Sequence, residues 1–200
     1  MKFIGGRVCL DFVNTVGARV GLHDTVLRDK LKDFADLAAW SRLAGLSTAR
    51  EARHLERVAA RYPTRAAATL ARAITLREAL YRTFKSALRR SAPTESDVDV
   101  LRNELSIARQ HERLVCAGAG FIWTWDRSEN TLDLPLWRVS QSAADLLTSA
   151  HLQKLRQCSG DECGWMFLDT SRNRTRRWCD MKECGNRAKV RRFRRREQHR

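Results

Sequence analysis

The sequence predicts a mainly α-helical chain with one small β-hairpin, closed by a compact C-terminal module that ends in a basic helix. Three observations carry this. Helix start and stop signals recur through the first 150 residues. One stretch, Phe121 to Trp125, is aromatic and β-branched instead. Four cysteines, Cys158, Cys163, Cys179 and Cys184, crowd into the last quarter as two C-x4-C pairs with 15 residues between them.

In chain order, Asp33 can cap a helix carrying Phe34, Leu37, Ala38 and Trp40, which stops at Gly45. Thr48 and Glu51 form a capping box for a second helix with Leu55, Val58 and Ala59, ended before Pro63. Thr64 is placed to cap a long helix reaching about Arg90, and Thr94 opens another with Val98, Leu101, Leu105 and Ala108 as its buried stripe. From Val115 to Leu136 the pattern predicts a hairpin. Its strands are Phe121–Trp125 and Thr131–Leu134, with Asp126–Asn130 as the turn. A last helix, from about Val139 to Leu152, leads into the cysteine module. Cys9 and Cys116 stand alone among apolar residues and read as small core side chains. The domains expected are a helical one over residues 1–150 and the cysteine module over 151–200, with no Gly/Ser-rich spacer between them.

Two short cysteine pairs a hairpin's length apart make a four-thiolate zinc site. Thiolates are soft Zn²⁺ ligands, and four of them close the tetrahedron, so the ion is structural and no position is left for catalysis. Two disulfides are the competing reading. The chain has no apolar run of membrane-spanning length, and Met1–Gly6 is too short and polar for a signal peptide. The resulting expectation is a cytoplasmic protein with no membrane partner, where reducing conditions favour the metal over disulfides.

The residues around the cysteines are specific. Trp165, Phe167, Asp169, Ser171, Asn173, Arg177, Trp178, Cys184-Gly185-Asn186-Arg187 and Lys189 stand at fixed spacing between about Leu155 and Arg195. This run resembles the CGNR-type zinc finger. Leu10-Asp11-Phe12-Val13-Asn14-Thr15 resembles the opening motif of the ABATE-type domain that precedes such fingers. The resemblance implies a bacterial transcription regulator, and it supplies neither a target sequence nor a ligand.

Within the finger, Leu152–Gln157 and Trp165–Leu168 read as the two strands of a hairpin. Trp165, Phe167 and Trp178 are placed to pack beside the zinc, and Asp169 and Ser171 are turn formers that can bond backbone amides. After Cys184 the chain has no helix breaker beyond Gly185. A helix launched there is similar to the one in treble-clef fingers. On its wheel Val190 and Phe193 share a narrow arc suited to docking on the zinc knuckle. Arg187, Lys189, Arg191, Arg192, Arg194 and Arg195 fall on the rest.

Charge agrees with a polyanion partner. The chain carries +15, and residues 151–200 hold 15 Lys and Arg against 6 Asp and Glu. Arginine suits bidentate phosphate and guanine contacts, so duplex DNA is the first expectation. Structured RNA or an acidic protein fits the same charge. Arg187, next to Cys184, also reads as a brace for the knuckle. The cluster Arg172, Arg174, Arg176 and Arg177 can add phosphate contacts or offset the charge of the zinc site.

In the long helix, Arg77 falls in the middle of the stripe Leu70, Ala73, Ile74, Leu80, Tyr81, Phe84 and Leu88. Buried there, it requires a partner, and Asp11 is the expected one. Asp11, Asn14 and Arg77 then form either an internal lock or a polar site for a small effector. No nucleophile–base motif, Gly-rich phosphate loop or His-based metal site is present, so the chain is expected not to be an enzyme. No heptad seam marks a dimer.

Overall fold

The computed structural model describes residues 1–17, 19, 29–125 and 131–198. The described residues fold into two compact units. One joins Met1–Lys30 to Leu146–Arg200; the other is Leu31–Asp145.

The Leu31–Asp145 unit is helical except for one hairpin. Helix α2 (Phe34–Leu43) begins at Asp33, whose side chain accepts from the Asp36 amide. It ends just before Gly45, whose φ of +72° glycine adopts without strain. Helix α3 (Ala49–Arg61) starts on the Thr48–Glu51 capping box, with both reciprocal bonds formed. Helix α4 (Pro63–Leu88) follows at once. It begins one residue before the expected cap at Thr64, because Pro63 takes the first helical position, where its missing N–H costs nothing. Helix α5 (Glu95–Gln110) opens on Thr94, which accepts from the Asp97 amide.

These helices bury Phe34, Leu37, Trp40, Leu55, Leu76, Leu80, Phe84 and Leu101. Polar clips tie α4 to α5 at two levels. Arg72 forks onto Glu104 at 2.7 Å and reaches Asp133 at 2.9 Å. Arg82 grips the nearly buried Asp97 carboxylate at 2.6 Å.

The hairpin differs from the expected one. Phe121–Trp125 is a strand, as the composition implies, but it pairs backward. β1 (Glu112–Ala117) and β2 (Gly120–Trp125) form an antiparallel ladder with Ala117 opposite Gly120. The two-residue loop is possible because Gly118 takes φ of +59°. The expected turn, Asp126–Asn130, lies outside the described residues. Thr131–Asp133 is a 3₁₀ turn leading into α6 (Leu134–Leu147), not a strand. Leu132, Leu134 and Leu136 are buried there, and Pro135 sits in the first helical turn, where it is tolerated. Cys116 is exposed on β1, against expectation, whereas Cys9 is fully buried.

The other unit is built on the finger. A 3₁₀ turn (Ala150–Lys154) precedes β3 (Leu155–Gln157), which pairs antiparallel with β4 (Met166–Leu168). A π-helical turn (Met181–Gly185) carries Cys184 and runs straight into α7 (Asn186–Gln198). The N-terminal helix α1 (Val8–Val13) belongs to this unit. Asn14, just after it, lies flat against β4. Its amide donates to the Met166 carbonyl at 2.8 Å and its oxygen accepts the Met166 N–H at 2.9 Å, as a paired strand would. Asp11 accepts the amides of Ile4 and Gly5, both at 2.8 Å. Leu168 N–H donates to the Gly5 carbonyl and Trp165 Nε1 to the Val16 carbonyl. The opening motif is thus the cradle of the finger's second strand. Among the described residues, no helix is long and apolar enough to cross a membrane.

Candidate metal centre and nucleic-acid interface

The four cysteine sulfurs converge, all within 4.8 Å of one another. Cys163 and Cys179 are 3.5 Å apart, and Cys179 and Cys184 are 3.6 Å apart. Zn–S bonds of about 2.3 Å in a tetrahedron put sulfurs roughly 3.8 Å apart, so the spacing fits the ion. The surroundings fit it too. Backbone N–H groups of Gly160 and Cys179 point at the Cys158 sulfur from 3.4 and 3.3 Å, the polarity that stabilises a thiolate. Bonds from the Cys163 and Cys179 thiols, with these amides, pull the Cys158 pKa far below the ordinary thiol value. The same contacts push Cys163 and Cys179 up. The thiols thus share protons around the Cys158 sulfur, and a dication would take the place of those protons.

Gly160 leaves only tight space for a side chain. A Cβ there would stand 3.2 Å from Cys163 Cβ, 3.3 Å from Cys184 Sγ and 3.5 Å from Cys158 Sγ. Trp165 and Phe167 are buried against the cysteines, and Ile4 and Trp178 close the cluster. Phe167 is covered on its ring face by the Arg176 guanidinium, 4.2 Å from the centroid. Arg176 also donates to the carbonyls of Trp178 and Cys179, and its amide donates to Asp169. Asp169 takes the Ser171 amide and hydroxyl as well, so this pair holds the turn between the cysteine pairs. Of the arginine cluster, Arg176 is thus half-buried and engaged within the finger, while Arg172, Arg174 and Arg177 are exposed.

The cations after Cys184 divide into two sets. Arg187 donates to Cys184 Sγ at 3.3 Å, and Arg191 pairs with Asp161 of the first cysteine loop at 2.7 Å. Both tether the first turns of α7 to the knuckle. Lys189, Arg192, Arg194 and Arg195 are exposed and, among the described residues, form no ion pair. The expected docking of Val190 and Phe193 does not occur: they are 49% and 62% exposed. The helix turns 100° per residue, so the tethered positions 184, 187 and 191 define the inner side. Val190 and Phe193 fall outside it. At the other end of the π turn, Lys2 holds Asp180 at 2.7 Å and Glu183 at 2.5 Å.

The remaining sequence candidates are divided between the two units. Asp11 and Asn14 sit together and are occupied by the main chain, as described above. Arg77 belongs to the other unit, where it is 2% exposed and its Nε meets Glu78 at 2.9 Å. Gly160 and Asp161 were not anticipated from the sequence, and Arg176 was anticipated only as a phosphate contact or a charge offset, not as a brace on Phe167 and the Trp178 and Cys179 carbonyls. Only Gly160 carried a signal, a glycine inside a metal-binding loop.

This arrangement is a structural zinc finger bearing an exposed basic helix. Residues 6–150 match the ABATE family, described as "putative stress-induced transcription regulator", and residues 154–197 match the CGNR zinc finger. The chain belongs to the ABATE family and carries a CGNR zinc finger that holds one structural Zn²⁺ through Cys158, Cys163, Cys179 and Cys184. No curated protein matches it by sequence.

Proposed function

We propose that the chain is a cytoplasmic regulator that binds duplex DNA through α7 and acts by binding rather than by catalysis. The observation that carries this is the division of the α7 cations. Arg187 and Arg191 fix the helix to the zinc knuckle, while Lys189, Arg192, Arg194 and Arg195 stay exposed with no acidic partner among the described residues. Thirteen helical residues span about 20 Å. The major groove of B-form DNA admits a helix of this kind, whereas the deep, narrow major groove of A-form RNA does not. Val190 and Phe193, exposed between the cations, supply apolar surface for thymine methyl groups. The zinc sets the direction in which α7 leaves the finger. Arg172, Arg174 and Arg177 add positive charge nearby.

The test is titration of duplex DNA at several salt concentrations. Arg192→Ala and Arg194→Ala should each flatten the log–log salt slope by about 0.9 for every phosphate that the variant leaves unneutralised. Phe193→Ala should lower sequence preference by about 1–3 kcal/mol while leaving the slope unchanged. Unaltered affinity and slope in both arginine variants, with zinc retained, contradicts the proposal.

A further inference from the structure

The β1–β2 hairpin exposes an apolar surface that the described chain leaves uncovered. Phe121 and Trp123 are each 68% exposed, Leu114 is 54% and Ile122 is 53%. Soluble monomers rarely leave contiguous apolar patches of this kind bare. The root of the hairpin is fixed. Trp125 leans on the buried Trp137 at 5.7 Å, and Trp137 stacks on His111 at 4.3 Å. Only the outer half is open.

The register sorts these side chains. Leu114 stands opposite Trp123 and Cys116 opposite Phe121, so all four share one face. That face is aliphatic and thiol on β1 and aromatic on β2. A twofold axis running along the strands lays the β1 half of one copy over the β2 half of another. Each ring then meets a small side chain, and the surface is complementary to itself.

Charge points to the same occupant. Leu114 to Trp125 is a run of twelve residues without a charge, in a chain of +15. Two such chains repel each other elsewhere and approach here at least cost. An acidic partner or a phosphate backbone finds no cation to pair with on this run.

We infer that the Leu114, Cys116, Phe121 and Trp123 face of the hairpin packs on the same face of a second copy of this chain. Exposed aromatic side chains contribute about 150–250 Å² each when buried. The bare face therefore supplies on the order of 800 Å² over two copies, below the ~1,200–2,000 Å² of a tight complex. The dimer is accordingly weak and concentration-dependent. The inference does not rest on the DNA-binding reading, although a paired finger would read two half-sites.

Sedimentation of the full zinc-loaded chain, without DNA, tests it over a concentration series. The wild type should shift from monomer to dimer. The double variant Phe121→Ser/Trp123→Ser should weaken the dimer at least tenfold, with zinc content and helical circular dichroism unchanged. Phe193→Ser, on α7, should dimerise like the wild type. Alkylation of Cys116, followed by mass spectrometry, should slow in the wild type as concentration rises and not in the double variant. A wild type that stays monomeric up to several hundred micromolar overturns the inference. So does a dimer that survives the double variant intact.

Discussion

Gly160 marks how little room the metal centre leaves. Its Cα faces three of the ligand-bearing groups within 3.5 Å of where a Cβ would stand, and the nearest belong to the metal shell itself. Gly160→Ala should weaken zinc binding about 10–100-fold, the usual cost of disturbing the groups that orient ligands, measured by competition with a chelator. Cys163→Ser is harsher. It should lose the metal and unfold the finger, while helical circular dichroism from the Leu31–Asp145 unit persists, because metal binding and folding are coupled in small modules. The four ligands were legible from spacing alone, since a C-x4-C pair is a local pattern. Asn14 was not. Its partners lie 152 residues away in the chain, and only the folded structure shows that its amide completes β4. Asn14→Ala should cost about 1–3 kcal/mol for each Met166 group left unpaired, read as a lower melting temperature of the zinc-loaded protein.

At the scale of elements, caps were the reliable signal. Asp33, Thr48 and Thr94 each accept the amide three residues on, and each was readable because a cap is a short-range contact. Pairing was not readable. The composition of Phe121–Trp125 announces a strand but does not say which neighbour it joins, and Gly118 settled it in favour of β1. The outward side of α7 was misjudged for a similar reason. A wheel ranks faces by polarity, whereas this helix is tied down by the Arg187 hydrogen bond to Cys184 Sγ and the Arg191–Asp161 ion pair. The α4–α5 clip gives a pH prediction. The hydrogen bonds from Arg82 hold the Asp97 carboxyl below its ordinary value. A depressed native pKa contributes stability that is present above the unfolded value near 3.8 and is lost as pH falls through the native value. Arg82 is half exposed, so solvent trims the effect. Acid melts of Asp97→Asn should therefore show a shallower fall in stability below about pH 4 than the wild type, seen by circular dichroism. An identical fall would mean the clip carries no pH-linked stability.

Over the whole molecule, charge and connectivity tell different stories. The positive excess of residues 151–200 was visible in the sequence, and its concentration in the last quarter pointed to a polyanion before any fold was known. The association of Met1–Lys30 with Leu146–Arg200 in one compact unit was not visible, because order along the chain places the two at opposite ends. The finger is consequently more than an appendage of about fifty residues. It draws Asn14 and Val16 onto Met166 and Trp165 beside the cysteines, and Arg187 and Arg191 hold the base of α7 to the knuckle. The central claim is that this framework presents α7 to the bases of duplex DNA. Selection from a random duplex library with the intact, zinc-loaded protein tests it most directly, with the Phe193→Ala/Arg194→Ala variant and heparin competition run beside it. The expected result is an enriched short motif that the variant no longer selects and that resists heparin better than unselected duplex. A flat library, with heparin displacing every duplex equally, would contradict it.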